Sequence, residues 1–219
     1  MNNLKMKEHD TRGLLITVCG LDGSGKTTLI KRLKKEIEDN EGYEVILTKQ
    51  PSENMRKSDI FRTYMDSDDH RLYDYRALSL MAAADRIQHI NKVILPELKK
   101  GKCVICDRYF YSCLANLRAR GYEKDRWIYD ISKNIIKPDV SFFLDVPVEL
   151  AVSRVRERAE ERDRYIDMDL QYKLRKQYIK ICKESYGTLV ASDIHEDKTF
   201  SDAYKQLKNV IERRNEKNV

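Results

Sequence analysis

The chain has 219 residues, of which 42 are Lys or Arg and 36 are Asp or Glu, for a formal net charge of +6. That length suits one α/β domain with a substantial core. No apolar stretch approaches the ~20 residues that span a bilayer, and the first dozen residues are polar and mixed in charge rather than signal-like, which points to a cytoplasmic protein without a membrane partner. The positive excess is scattered among acidic neighbours instead of forming a basic tract, so anionic small molecules account for it as well as nucleic acid does.

Residues 1–12 read as a flexible extension, a single domain is expected over 13–214, and 215–219 read as a flexible tail. The first predicted strand, Leu14 to Cys19, runs directly into Gly20-Leu21-Asp22-Gly23-Ser24-Gly25-Lys26-Thr27. That octapeptide has the G-x-x-x-x-G-K-[ST] spacing of a phosphate-binding P-loop. Gly20, Gly23 and Gly25 permit turns at positive φ that bring amides to phosphate oxygens, and Lys26 adds charge near the β- and γ-groups. Thr27 offers a hydroxyl to Mg2+, and Asp22, Ser24 and Thr28 complete the loop residues expected around ATP. Beyond Lys26, the apolar residues Leu29, Ile30, Leu33 and Ile37 share one stripe of a helix predicted over 26–39, whose N-terminus faces the anion.

A strand near 44–48 is followed by helices near 55–66 and 72–99. The second of these carries Ala82-Ala83-Ala84-Asp85-Arg86-Ile87-Gln88-His89-Ile90, with Ile87, Ile90, Ile94 and Leu98 as its core stripe. Arg86 borders that stripe, and its guanidinium has two readings: a substrate contact beside small alanines, or an ion pair with a neighbouring acid. His89 reads as a structural histidine, because no triad partner is suggested nearby.

The next strand, near 103–106, ends in Asp107-Arg108-Tyr109. Ligands of open α/β sheets gather at the carboxyl ends of strands, so Asp107 is expected in a Mg2+ shell beside the P-loop and Arg108 is expected to point at phosphates. Cys103 and Cys106 form a C-x-x-C, but on a strand residues three apart face opposite ways, and the chain has five cysteines, so buried thiols are expected instead of a metal or redox pair. Helices near 111–134 and 147–160 flank a strand at 140–145, and a helix at 168–185, a strand at 188–191 and a helix at 200–214 complete the chain. The alternation predicts a three-layer α/β/α P-loop fold with a five-stranded parallel sheet. Between Arg154 and Asp167 the chain is rich in arginine, with Arg154, Arg158 and Arg162 four apart. Such a segment, about 154–167, can serve as a helical lid that lays a guanidinium across a transferring phosphoryl group; Arg158, Arg162 and Arg164 are the candidates.

Taken together, Gly-Leu-Asp-Gly-Ser-Gly-Lys-Thr-Thr at 20–28, the alanine-rich helix with Arg86 and His89, Asp107-Arg108-Tyr109, Lys137-Pro138-Asp139 leading into Phe142-Phe143-Leu144-Asp145-Val146, and Asp163-Arg164-Tyr165 resemble the thymidylate kinases among the nucleoside monophosphate kinases. The resemblance spans about Leu14 to Ile211. It implies transfer of the γ-phosphate of Mg-ATP to dTMP, with small nucleotides as partners, no nucleic acid, and the homodimers that relatives often form. It implies that Asp22 contacts the acceptor sugar and helps place its phosphate, that Arg108 binds that phosphate, and that Arg86 addresses the base. Tyr109 and Arg62 join the expected acceptor site, Arg62 being a better positional match than Arg56. Some members carry an arginine within the loop where this chain has Gly23, so the lid is expected to supply the transition-state charge.

The departures fall in the acceptor site. Lys49-Gln50-Pro51 stands where Arg-Glu-Pro is usual, Ala82 where a Phe generally stacks on thymine, and Asn116-Leu117 where a Tyr-Gln pair often follows. Tyr73, Tyr75, Tyr109 or Tyr111 are candidates to replace the missing ring. These departures keep one rival open, a kinase for another deoxynucleotide or a deoxynucleoside; a second, from a different class, is a nucleotide-dependent regulator without a small acceptor, against which Asp22, Arg108 and the lid segment speak.

Overall fold

The computed structural model describes residues 4–67, 73–163, 165–193 and 195–217. Five strands, β1 (Leu14–Gly20), β2 (Val45–Lys49), β3 (Cys103–Asp107), β4 (Val140–Asp145) and β5 (Thr188–Ala191), form one sheet in the order β2-β3-β1-β4-β5. Every pairing is parallel, with Val18 opposite Asp107 and Gly20 opposite Leu144. The predicted strands therefore coincide with observed ones. β1 is buried along its whole length, as a strand covered on both faces must be, which is why it reads as a continuous apolar run.

Side chains leave the sheet alternately toward two cores. Leu14, Ile16, Val18, Cys103, Ile105 and Phe142 face α1 (Lys26–Asn40) and α10 (Glu196–Lys217), and the stripe Leu29, Ile30, Leu33 and Ile37 packs there as its spacing predicts. Leu15, Cys19, Val104, Cys106 and Phe143 face the other layer, which includes α4 (Tyr75–His89), α5 (Leu95–Lys99), α6 (Phe110–Ala119), α7 (Trp127–Ile131) and α9 (Met168–Glu184). Cys103 and Cys106 thus sit in different cores, and all five cysteines are buried and free.

Three helices differ from expectation for local reasons. The stretch predicted as one helix over 55–66 is split into α2 (Glu53–Lys57) and α3 (Asp59–Asp66), because Ser58 is extended and both its N–H and its hydroxyl donate to the Met55 carbonyl. The helix predicted over 111–134 stops at Ala119; the chain turns at Gly121, where φ is 88°, before α7 begins. From 75 to 99 the helix is continuous but widens into a π turn over Ile90–Ile94, directly before Pro96, which has no N–H to give the ladder. Residue 72, the predicted start of that helix, lies outside the described residues.

Residues 4–12, expected as a flexible extension, run beside the entrance to β4: Lys7 N–H donates to the Ile135 carbonyl at 2.8 Å and Lys137 N–H to the Lys7 carbonyl at 2.7 Å. Asp139 accepts from the Leu15 amide at 2.7 Å and pairs with Arg214 of α10, whose Nη2 also donates to the Thr11 and Gly13 carbonyls. Helix α10 continues to Lys217, past the predicted end at 214.

Candidate active site

At the carboxyl ends of β1 and β3 a cleft of about 720 Å3 opens between the P-loop, α2, α3, α4, α6, α9 and the segment 158–167. The loop that forms its floor is shaped by glycine where glycine is required. Gly23 has φ 79°, and a Cβ there would overlap the carbonyl oxygen of Ala151 in α8 (Val148–Arg156). No side chain fits at that position, so a catalytic arginine cannot come from it. Helix α1 begins at Lys26 with no acidic residue in its first turn, leaving the positive end of its dipole toward the cleft.

The Lys26 ammonium is buried and donates to the Leu21 carbonyl at 2.6 Å and the Gly20 carbonyl at 3.3 Å. Burial, with Arg108 beside it, pushes its pKa down to about 7, against the pull of Asp22 and Asp107. Thr27 and Thr28 are exposed on the cleft side of the helix start.

Arg108 is the most constrained residue of the site. Its amide donates to the Val18 carbonyl, extending the β1–β3 ladder, and its φ of 64° then turns the chain sharply. The guanidinium crosses to the P-loop, with Nη2 2.6 Å from Asp22 Oδ1 and Nη1 3.0 Å from the Tyr178 hydroxyl and 3.2 Å from the Gly20 carbonyl. Burial opposes its charge, but Asp22, Tyr178 and Asp107 outweigh that, and its pKa is raised. Tyr178 in turn donates to Ser112 Oγ at 3.1 Å. The same turn sends the neighbouring Tyr109 into the core, where its hydroxyl donates to the Ile136 carbonyl; Tyr109, expected in the acceptor site, is fully buried outside the cleft.

Asp107 lines the cleft with Oδ2 3.5 Å from Lys49 Nζ, while its Oδ1 is buried without a hydrogen-bond partner. Of the two readings left open for Arg86, the ion pair with a neighbouring acid is not formed among the described residues. The residue is 3% exposed, donates through Nη1 to the Ala82 carbonyl at 2.8 Å, and has no partner on Nε. His89 bridges Thr48 and Gln50, and Asp85 accepts from the Ser52 amide, so the end of β2 is tied to α4 and Arg86 is held in place. Burial lowers the His89 pKa and keeps it neutral in this structural role.

The break at Ser58 redistributes the next two arginines. Arg56, held by the Pro51 carbonyl at 2.9 Å, lines the main cleft, whereas Arg62, the better positional match by sequence, lines a separate hollow with Lys57, Asp59 and Tyr73. Burial and the neighbouring Arg108 lower the Arg56 pKa. Among the lid arginines, Arg158 lines the cleft and pairs with Glu161 at 3.1 Å, Arg162 is exposed away from it, and Arg164 lies outside the described residues. Arg154 lies outside the main cleft but donates to the Ser192 carbonyl at 2.9 Å and to the Gly23 carbonyl of the P-loop at 3.5 Å, and it lines a smaller neighbouring hollow. The lid itself is less helical than expected: α8 ends at Arg156, and only the short turn Ala159–Glu161 follows before α9.

A smaller hollow of about 300 Å3 shares Gly23, Gly25, Thr28 and Arg158 with the cleft and continues to Arg32, Ser192, Thr199 and Phe200. Sequence reasoning missed it. Arg32 lies over the Phe200 ring at 4.4 Å, an arrangement built from residues 168 positions apart that no local motif announces.

A parallel sheet with a P-loop after its central strand and a carboxylate ending the adjacent strand defines a P-loop nucleotide-binding protein, here with space for a second ligand. The thymidylate kinase family model matches residues 18–199. A probable thymidylate kinase of Pyrococcus horikoshii is 40% identical over 174 residues, covering 78% of this chain and 84% of that protein, and one from Thermococcus kodakarensis is 38% identical over 175 residues with the same coverage. A thymidylate kinase of Clostridium novyi is 29% identical over 205 residues, covering 90% of this chain and 99% of its own. The chain belongs to the thymidylate kinase family.

Proposed function

We propose that this protein transfers the γ-phosphoryl group of ATP to dTMP, giving dTDP and ADP. The observation that carries the reading is the Asp22–Arg108 pair: a half-buried, pre-aimed guanidinium stands beside the phosphate-binding loop and within the same cleft as Arg56 and Arg86. A site for a nucleoside triphosphate alone has no use for a second cationic cluster. Donor phosphates lie on the loop amides and Lys26, with the donor base in the hollow beside Arg32 and Phe200. Arg108 and Arg56 hold the acceptor phosphate, a dianion that suits two cations. Arg86, which lines the same cleft, meets the base.

An oxygen of the acceptor phosphate forms the new bond to the γ-phosphorus while the β–γ bridging bond breaks and its electron pair leaves with ADP. The acceptor is already an anion, so no general base is needed. Arg158 is the lid cation best placed to neutralise charge developing on the transferred group. Asp107 and Thr27 fit Mg2+: both line the cleft, they offer hard oxygen ligands, and the Asp107 Oδ1 atom is buried without a partner. They would hold the ion, which supplies positive charge against the β- and γ-phosphate oxygens.

Coupled measurement of ADP release with dTMP and with the other nucleoside monophosphates and deoxynucleosides tests the assignment. A clear preference for dTMP is expected; equal or better turnover of another acceptor overturns it.

A further inference from the structure

The acceptor end of the cleft is walled by Phe61 and Tyr64 of α3 and by Tyr75, Leu78 and Ala82 of α4. Two of its three rings are engaged. Tyr64 is 4% exposed, packs edge-on to Tyr73 with centroids 5.8 Å apart and lies 5.5 Å from Tyr75, and its hydroxyl accepts from Arg120 Nη2 at 3.1 Å. The Arg120 guanidinium, fixed at its other nitrogen by Asn116, covers the Tyr75 ring at 3.8 Å. Phe61 is different. It is partly exposed to the cleft, packs with Ala82 against the Met55, Tyr64 and Leu78 cluster, and among the described residues has no ring or cation partner.

The position of Arg86 says where a flat ligand must lie. Its Nη1 is tied to the Ala82 carbonyl and its side chain lines the cleft, so a ring that accepts from Arg86 comes to rest beside Ala82. The methyl group of Ala82 covers little of such a ring. Stacking over a base face favours an aromatic ring, and the uncommitted aromatic of this wall is Phe61.

We propose that Phe61 is the specificity-determining ring of this acceptor site, supplying against the base the flat face that Ala82 is too small to supply. The inference rests on the acceptor-site reading above. It assigns the role to none of Tyr73, Tyr75, Tyr109 and Tyr111: Tyr109 and Tyr111 lie in the core, Tyr73 lies in the separate hollow, and Tyr75 is covered by Arg120.

The test is steady-state kinetics of the full chain carrying Phe61→Ala, Phe61→Leu, Ala82→Phe, or Phe61→Ala with Ala82→Phe. Phe61→Ala should raise the KM for dTMP roughly tenfold and leave the KM for ATP within about twofold, with Phe61→Leu intermediate. Ala82→Phe alone should also weaken dTMP, since a second ring meets occupied space, whereas in the Phe61→Ala background it should restore affinity. Competitive inhibition by 2-deoxyribose 5-phosphate, which has no base, should be the same for wild type and Phe61→Ala. A dTMP KM unmoved by Phe61→Ala and Phe61→Leu, or tightened by Ala82→Phe in both backgrounds, overturns the role of Phe61. Wild-type protein that binds no nucleoside monophosphate overturns instead the acceptor-site reading beneath it.

Discussion

Arg108 Nη1 and the Tyr178 hydroxyl are 3.0 Å apart, and that contact joins the turn after β3 to the middle of α9. With Asp22 on Nη2, the guanidinium is held at both ends before any anion arrives. Tyr178→Phe removes one of these holds without removing bulk. The KM for the acceptor should rise about three- to tenfold, as for one lost hydrogen bond of ~0.5–1.5 kcal/mol, with the KM for ATP unchanged. Arg108→Lys should be far more damaging, because an ammonium cannot reach Asp22, Tyr178 and a phosphate together. Initial-rate kinetics with each substrate varied in turn checks both.

Arg158 and Arg162 provide an internal comparison, since one lines the cleft and the other is exposed away from it. Arg158→Ala should lower kcat by roughly 10³ while moving the KM for ATP only a few-fold. Arg162→Ala should stay close to wild type. Equal losses in the two variants would move the transition-state charge elsewhere in the segment.

Lys26 predicts an unusual pH dependence. Its folded pKa is about 7, against an ordinary lysine value of 10.5, so between those values the unfolded chain holds a proton that the folded chain lacks. The penalty for burying the charge is therefore complete below about pH 7 and fades as pH rises toward 10.5. Without nucleotide, Lys26→Met should melt higher than wild type at pH 6.5, with the gap closing toward pH 10; thermal melts across that range measure it. Nucleotide binding needs the charged form, so wild-type ATP affinity should fall above pH 7 by up to about tenfold per unit, a slope that Lys26→Met lacks.

Gly23→Ala should disable the loop. The added carbon meets the Ala151 carbonyl, and φ 79° is strained for any L side chain. A loss of about 1–3 kcal/mol in stability and a much larger loss of ATP binding are expected, read by melting and by calorimetric titration.

The sheet and the P-loop were legible because each is written in consecutive residues: Leu14 to Cys19 is uniformly apolar, and the loop follows without a gap. Residues placed by breaks in regular structure were not. Arg62 is the better positional match by resemblance, but Ser58 breaks the helix expected over 55–66 by donating to the Met55 carbonyl, and Arg56 lines the cleft while Arg62 lines the hollow beside Tyr73. Tyr109 looked like a site residue because it follows Arg108, yet a left-handed turn sends successive side chains in unrelated directions. Arg154 passed for a lid residue because its partner is the Ser192 carbonyl, and backbone acceptors carry no signature in sequence. Phe61 drew no notice at all, since it becomes meaningful only beside Ala82, Tyr75 and Arg120, which fold brings to it from two other helices.

Asp139 and Arg214 close the amino end of the sheet, where the Leu15 amide, the Thr11 and Gly13 carbonyls and the last turns of α10 meet. Residues 11–13 and helix α10 are stapled together there, at the amino ends of strands whose carboxyl ends border the cleft. Truncation just ahead of Arg214 would therefore unfasten the first residues of the very strand that delivers the P-loop, so the shape of the cleft depends on a side chain at the opposite end of the sheet.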